Sequence, residues 1–145
     1  MKDWQGNMRV KVCTISPYDS VRKAYEVMTA RNIRHLLVTD AQKLCGVISD
    51  RDVLKATSTD EGGIFSFPKK TVDQIMMSDL KTCQYTADTE TICEVMLANK
   101  IDCVPILDGD VIKGLITSTD LVRLLKQIDQ GRNRKAFDVA IEEST

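Results

Sequence analysis

The chain has 145 residues, of which 43% are hydrophobic and 28% are charged, so it has enough apolar material to bury a core. Its 20 basic and 21 acidic residues give a formal charge of −1, which argues against a dedicated nucleic-acid-binding protein, because those carry a concentrated basic excess. No apolar run approaches the roughly 20 residues that span a bilayer, and the start has no signal-peptide apolar region, so we expect a cytoplasmic protein without membrane contact.

The first half of the chain predicts one long helix, two strands and a short helix, in that order. Apolar side chains at helical spacing predict a helix over 19–31, and two aliphatic runs predict strands over 35–39 and 44–48. Ser49 and Asp50 then open a short helix, with a hydroxyl and a carboxylate available to cap it. With a short strand ahead of the first helix, this half has the order β-α-β-β-α.

The second half repeats this order after a linker. Turn residues, a Gly-Gly pair and a proline mark 57–70 as the linker, in which Phe65 and Phe67 are expected to pack onto the core. The elements expected after it are a helix over 89–100, strands over 103–107 and 111–116, and a helix over 118–128. The last segment, 129–145, is a polar tail that forms either a short helix or a disordered end.

The cysteines and the single histidine do not form a metal-binding motif. No two cysteines have the CxxC spacing, and structural zinc usually needs clustered Cys or His ligands. Most of them lie among Val, Leu and Ile, where a thiol behaves as a small hydrophobe. We therefore expect no metal site and five reduced cysteines: Cys13, Cys45, Cys83, Cys93 and Cys103.

Two seven-residue stretches, GVISDRD at 46–52 and GLITSTD at 114–120, share one pattern. Both have a glycine, two aliphatic residues, a hydroxyl residue, two variable residues and an aspartate. The two glycines are 68 positions apart (114 − 46), and a shift of 68 also aligns Met8 with Met76, Thr14 with Thr82, Ala30 with Ala98 and Asp40 with Asp108. The chain is therefore a tandem duplication.

The hydroxyl and the aspartate of the repeated pattern have two interpretations. Ser49 and Thr117 stand where a strand passes into a helix, and Asp52 and Asp120 follow three residues later. A hydroxyl and a carboxylate in these places can cap the helix, or they can bind a ligand, since helix starts attract phosphate and a carboxylate can accept from a ribose diol. The repetition of the pattern favours binding.

The chain resembles a tandem pair of CBS domains, a Bateman module, over about 8–128. The resemblance is carried by the β-α-β-β-α order, the two quoted stretches, and three further segments: TVDQIM at 71–76, TISP at 14–17 and NIRHLLV at 32–38. It implies a mixed α/β (α+β) fold of two units packed sheet to sheet with pseudo-two-fold symmetry. The expected boundaries are 1–58 and 71–128 for the units, 59–70 for the linker and 129–145 for the tail.

The resemblance also implies a function and a set of ligand contacts. Paired CBS domains bind AMP, ADP, ATP or S-adenosylmethionine in clefts between the units, where the motif aspartate holds the ribose and the hydroxyl residue lies near ribose and phosphate. The family often dimerises, so a homodimer is expected. The residues expected to contact the ligand are Thr14, Arg34, His35, Ser49, Arg51, Asp52, Thr82, Thr117, Thr119 and Asp120.

The two copies differ in charge near the motif. Arg34, His35 and Arg51 in the first copy suit phosphate, whereas Asp102, Cys103 and Thr119 stand at the matching positions of the second. The alternative is that these arginines are solvated and that the histidine extends from an apolar strand to the surface.

Three functional hypotheses follow from the sequence. The first is a regulatory, non-enzymatic adenosine-nucleotide sensor with a downstream protein partner, since no catalytic constellation or cofactor motif is present. The second is a structural dimerisation module whose ligand sites are vestigial. The third and weakest is nucleic-acid binding through Lys69, Lys70, Arg132, Arg134 and Lys135.

Overall fold

The chain folds into two compact units, each with its own three-stranded sheet. The computed structural model describes the backbone of 3–59 and 61–144, and the side chains of these residues except 58, 59, 65 and 132–144. One unit is the continuous segment Lys11–Lys81, and the other joins Met1–Val10 to Thr82–Thr145. Both units are mixed α+β, as the sequence predicts. The predicted boundaries of the two repeat copies remain a prediction.

The continuous unit has the predicted β-α-β-β-α order. Its elements are β1 (Thr14–Ile15), α1 (Val21–Arg31), β2 (His35–Asp40), β3 (Lys43–Ser49), α2 (Asp50–Ala56), β4 (Ser58–Thr59), β5 (Phe65–Ser66) and a 3-10 turn at Val72–Gln74. β1 pairs with β2 in parallel, β2 pairs with β3 antiparallel, and the sheet order is β1-β2-β3. The predicted linker contains a short hairpin, because β4 and β5 pair antiparallel.

The core of the continuous unit lies between one face of this sheet and its helices. Leu36 and Val38 alternate with Leu37 along β2 and pack in one cluster with α1 and α2 side chains such as Met28 and Val53. Phe67 packs against this cluster, and its ring lies 5.1 Å from the Tyr25 ring, which confirms the prediction made for Phe67. Phe65, for which the same was predicted, lies outside the described side chains.

The second unit repeats the order and has one longer helix. Its elements are a 3-10 helix at Asp3–Asn7, β6 (Cys83–Gln84), α3 (Thr89–Asn99), β7 (Cys103–Asp108), β8 (Val111–Thr117) and α4 (Ser118–Ser144). α4 continues past the end predicted near residue 128, because the segment contains no proline and Gly131 costs a helix only about 1 kcal/mol. No helix in the described part of the chain combines the length and hydrophobicity needed to cross a bilayer.

The core of the second unit includes a tryptophan from the start of the chain. Trp4 is 0% exposed and packs with Ile92, Val104 and Ile116 from α3, β7 and β8. Its indole N–H donates to the Ala87 carbonyl at 2.7 Å. The first ten residues are therefore part of the second unit.

The motif glycines lie where another backbone segment crosses the sheet. In the continuous unit, Val47 and Met77 exchange two backbone hydrogen bonds of 3.0 and 2.8 Å, and a Cβ on Gly46 would overlap the Met76 sulfur. In the second unit, Arg9 and Leu115 exchange two bonds of 3.0 Å, and a Cβ on Gly114 would overlap the Arg9 carbonyl oxygen. The glycines of the repeated pattern therefore permit close backbone approach.

Candidate ligand-binding site

The first motif places a hydroxyl and a carboxylate together at the start of α2. Ser49 ends β3 with extended backbone and is the N-cap of α2. Its side chain accepts from the Asp52 N–H at 3.1 Å and donates to Asp52 Oδ2 at 2.9 Å, and the Ser49 N–H donates to the same oxygen at 2.9 Å. This reciprocal arrangement is a capping box, which satisfies N–H groups that the helix itself leaves unpaired.

The second motif has the same geometry at the start of α4. The Thr117 N–H and hydroxyl both donate to Asp120 Oδ2 at 2.8 Å, and the Asp120 N–H donates to the Thr117 hydroxyl at 3.2 Å. Both side chains are buried, and Asp120 is only 1% exposed. The recurrence of this network in both units accounts for the spacing of the hydroxyl and the aspartate in the sequence.

The two carboxylates differ in their second oxygen. Asp120 Oδ1 accepts a hydrogen bond and ion pair from Arg123 Nη1 at 3.2 Å. Among the residues whose side chains the structure describes, none donates to Asp52 Oδ1. The half-buried Asp52 thus keeps an acceptor oxygen available, while Asp120 has both oxygens engaged.

The residues at the start of β2 lie directly beside the first motif. The Asp50 N–H, at the start of α2, donates to the Arg34 carbonyl at 2.9 Å, and His35 is the cross-strand partner of Ser49. Arg34, His35, Ser49 and Asp52 are therefore neighbours within one unit. The second unit repeats the arrangement, with Ser118 donating to the Asp102 carbonyl at 2.8 Å and Cys103 opposite Thr117.

The other predicted site residues lie farther from the motifs or at the surface. Arg51 and Thr119 are exposed in the first turns of α2 and α4. Thr14 is on β1 and pairs with Leu37, so β2 separates it from Ser49, and Thr82 directly precedes β6. The structure brings neither threonine into the hydrogen-bond network of a motif aspartate.

Thr14 lines an open surface cavity of about 660 Å³ on the continuous unit. The cavity lies between the segment that leads into β1 and one side of α1. Its walls combine apolar and charged side chains from Val12, Cys13, Lys23, Glu26, Val27, Ala30 and Arg31. Its volume is in the range of small-molecule pockets.

Two thiols in the strands are held in their protonated form. Burial raises the pKa of Cys83, and burial followed by the nearby Asp40 and Asp73 carboxylates raises the pKa of Cys45. Cys45 also donates to the Val38 carbonyl at 3.3 Å. These environments suit the packing role that the sequence predicts for the cysteines.

Arg123 takes part in the second motif's network but was not among the residues predicted from the sequence. It lies three residues after Asp120 on a predicted helix, which is a spacing at which opposite charges meet. The matching residue of the first copy is Lys55 (55 + 68 = 123), so the sequence shows a basic residue in both places. Only the structure distinguishes them, through the pairing of Arg123 with Asp120.

A comparison with protein families gives two matches to one model. The model described as CBS domain matches residues 2–59 and 72–127. The two matches correspond to the two copies of the repeat and together include both motifs.

Curated relatives include enzymes and a small protein. Inosine-5′-monophosphate dehydrogenase of Methanocaldococcus jannaschii is 32% identical over 126 residues, which are 86% of this chain and 24% of the dehydrogenase. CBS domain-containing protein YhcV of Bacillus subtilis is 25% identical over 122 residues, covering 83% of this chain and 84% of YhcV. The chain spans about a quarter of the length of the first curated relatives that it matches.

Solved structures with the same fold include a ligand complex. The CBS domain pair of protein MJ0100, in complex with 5′-methylthioadenosine and S-adenosyl-L-methionine, is 26% identical with a TM-score of 0.73, and the match covers 85% of this chain and 94% of that one. The CBS-domain containing protein ATU1752 of Agrobacterium tumefaciens is 25% identical with a TM-score of 0.67, covering 78% and 88%.

Proposed function

The chain belongs to the CBS domain family, as a tandem pair, and on this basis we propose that it is a regulatory, non-catalytic module that binds an adenosine-containing ligand. The proposed ligand class is AMP, ADP, ATP or S-adenosylmethionine, in line with the two adenosine compounds bound to protein MJ0100. A ligand that favours one conformation of the protein over another would change its affinity for a downstream protein.

The observation that carries this proposal is the same hydroxyl–carboxylate pair in both units. The capping box uses one oxygen of each aspartate, Oδ2, which accepts from the N–H and hydroxyl of Ser49 or Thr117. Asp52 Oδ1 is then left over on a half-buried carboxylate, next to a hydroxyl and a strand end. We assign this oxygen to the ribose diol of the ligand, and Asp120 to the equivalent contact in the second unit.

The cations near the first motif are proposed to hold phosphate. Arg34 and His35 adjoin the motif through β2, and Arg51 lies in the first turn of α2. Guanidinium groups bind phosphate oxygens in pairs, which makes this unit the preferred place for a charged nucleotide. Thr14, Thr82 and Thr119 complete the proposed contacts.

Asp52→Asn tests this assignment directly. The amide oxygen can still accept from Ser49, but the charge that strengthens the ribose contact is lost, so AMP or S-adenosylmethionine should bind more weakly by about 1.5–3 kcal/mol. Calorimetric titration of the wild type and the variant measures the difference. Asp50→Asn, two residues earlier and exposed, is the matched control and should leave the affinity unchanged.

Thermal-shift screening tests the proposal as a whole. A ligand present at 100 times its dissociation constant stabilises the protein by about 2.7 kcal/mol, so at least one of AMP, ADP, ATP and S-adenosylmethionine should raise the melting temperature. Flat melting curves with all four would contradict the proposal and favour the structural alternative below.

The alternative function is a structural dimerisation module, and exposed apolar side chains favour it. Leu97 on α3 is 79% exposed, and Val122 and Leu125 lie three residues apart on α4 with most of their surfaces exposed. A homodimer that covers these side chains is compatible with either function. Native mass spectrometry of the purified protein measures both the oligomeric state and any retained nucleotide.

A further inference from the structure

The Asp120 carboxylate forms an ion pair with Arg123 of the same helix. Arg123 Nη1 lies 3.2 Å from Oδ1, while Oδ2 accepts from the Thr117 N–H and hydroxyl. The Asp120 side chain is 1% exposed and that of Arg123 is 55% exposed. The arginine thus covers the outer oxygen of a buried carboxylate and reaches solvent itself.

The first unit lacks this contact at the matching position. Lys55, three residues after Asp52, is exposed, and among the described side chains it forms no ion pair with that aspartate. The rest of the network is the same in both units, with hydrogen bonds of similar length. The two aspartates therefore differ in one contact: Asp120 Oδ1 accepts from a guanidinium, whereas Asp52 Oδ1 has no donor among the described side chains.

We propose that Arg123 competes with the ligand's ribose for Asp120, so that the second motif binds an adenosine ligand more weakly than the first. The inference rests on the proposed function, because it assumes that both aspartates contact a ribose diol. A vicinal diol donates two hydrogen bonds and needs acceptor capacity at Oδ1. Because Oδ2 already accepts two hydrogen bonds, both diol hydroxyls must donate to Oδ1, which can accept two. At Asp120 the guanidinium takes one of these places, so the ligand gains both hydrogen bonds only when the guanidinium leaves.

The competition is of moderate strength. The Arg123 end of the pair is more than half exposed, so water and salt screen it and its net contribution is that of a partly exposed ion pair. Removal of the arginine should therefore tighten ribose binding at Asp120 about fivefold, equivalent to about 1 kcal/mol. Because the pair is screened, the difference should shrink as the salt concentration rises.

The experiment isolates each motif within the 145-residue chain. Asp52→Asn leaves the second motif to bind, and Arg123→Met is then added, since methionine keeps an unbranched helix-forming side chain without charge. The probe is 5′-methylthioadenosine, which has the diol but no phosphate that could be attracted by the arginine. Calorimetric titration should give about fivefold tighter binding for the double variant than for Asp52→Asn alone.

Two controls separate this effect from a general change in the protein. Lys55→Met in an Asp120→Asn background should leave the affinity of the first motif unchanged. 2′,3′-Dideoxyadenosine, which lacks the diol, should bind with the same affinity whether or not Arg123 is present. A melting curve of each variant verifies that it is folded.

Each outcome has a defined meaning. Tighter binding of 5′-methylthioadenosine with Arg123→Met, and none with Lys55→Met, supports the competition. Unchanged or weaker binding with Arg123→Met, in a chain that still binds the probe, overturns the inference and leaves the proposed function intact. Absence of binding to the wild type and to every variant overturns the proposed function, and the inference with it.

Discussion

Ser49 combines two hydrogen bonds that would otherwise need two residues. Its hydroxyl accepts from the Asp52 N–H and donates to the Asp52 carboxylate, and both bonds are about as short in the second unit, where threonine takes its place. The hydroxyl thus caps the helix and also fixes the orientation of the carboxylate proposed to hold ribose.

Ser49→Ala should lower the free energy of unfolding by about 1 kcal/mol, because the cap is lost. The variant should also weaken ligand binding, since Asp52 loses the donor that orients it. Urea unfolding measures the first effect and calorimetric titration the second. Ser49→Thr, which copies Thr117 of the second unit, should retain wild-type stability and ligand affinity. A loss of either in this variant would contradict the role given to the hydroxyl.

The contact between the hydroxyl and the aspartate of each motif could be predicted from the sequence, because the two residues are close together along the chain. The hydroxyl and the aspartate are three positions apart, and this spacing alone predicts the capping geometry that the structure has. The role of the motif glycines could not be predicted from the sequence. Their partners, Met76 and Arg9, are distant in sequence, and no local signal indicates which segment crosses a given strand.

At the level of elements, the predicted strands and the helices other than α4 agree closely with their predicted spans, since each is set by local apolar spacing. The strands predicted at 35–39 and 103–107 are observed as His35–Asp40 and Cys103–Asp108. The crossing segments around Arg9 and Met77 were missed, because each forms only a single bridge to its sheet. Gly46 and Gly114 lie next to these bridges, where an added Cβ would overlap the crossing segment.

Gly114→Ala should destabilise the protein more than Gly46→Ala. The added Cβ at position 114 would overlap the carbonyl oxygen of Arg9, which is backbone and cannot move alone, whereas at position 46 it would overlap the flexible end of Met76. We expect losses of about 2 and about 1 kcal/mol in the free energy of unfolding. Urea titration measures both.

Gly6→Ala is the matched control for these substitutions, because nothing lies within 4 Å of a Cβ added there. It should change the free energy of unfolding by no more than about 0.5 kcal/mol. Equal effects of the substitutions at positions 6 and 114 would show that close backbone approach does not determine the need for glycine at position 114.

At the scale of the whole molecule, the sequence predicts two repeated halves, whereas in the structure the start of the chain belongs to the same unit as the second half. The segment Met1–Val10 joins the unit formed by Thr82–Thr145, and the hydrogen bond from Trp4 to Ala87 spans 83 positions. A duplicated sequence identifies the copies but not which unit receives the leading segment. The first ten residues carried no motif and no helical pattern that would have placed Trp4 in a core.

The leading segment contributes to the second unit mainly through Trp4. Its ring fills the core beside α3 and β7, meets the Tyr85 ring edge to face at 6.0 Å, and has its N–H satisfied by Ala87. Large aromatic side chains bury more apolar surface than any other type. The stability of residues 82–131 therefore depends on a side chain from the opposite end of the sequence.

Trp4→Ala should lower the free energy of unfolding by about 3–5 kcal/mol, because it removes a fully buried aromatic side chain and leaves a cavity. Trp4→Phe should cost less, since it keeps much of the apolar volume and loses the indole hydrogen bond. Urea unfolding followed by far-UV circular dichroism measures both, because the only tryptophan is then absent as a fluorescent probe. Val10→Ala, at an exposed position of the same segment, is the control and should change stability by less than about 0.5 kcal/mol. If Trp4→Ala and Val10→Ala had equal effects, the leading segment would not be a structural part of the second unit.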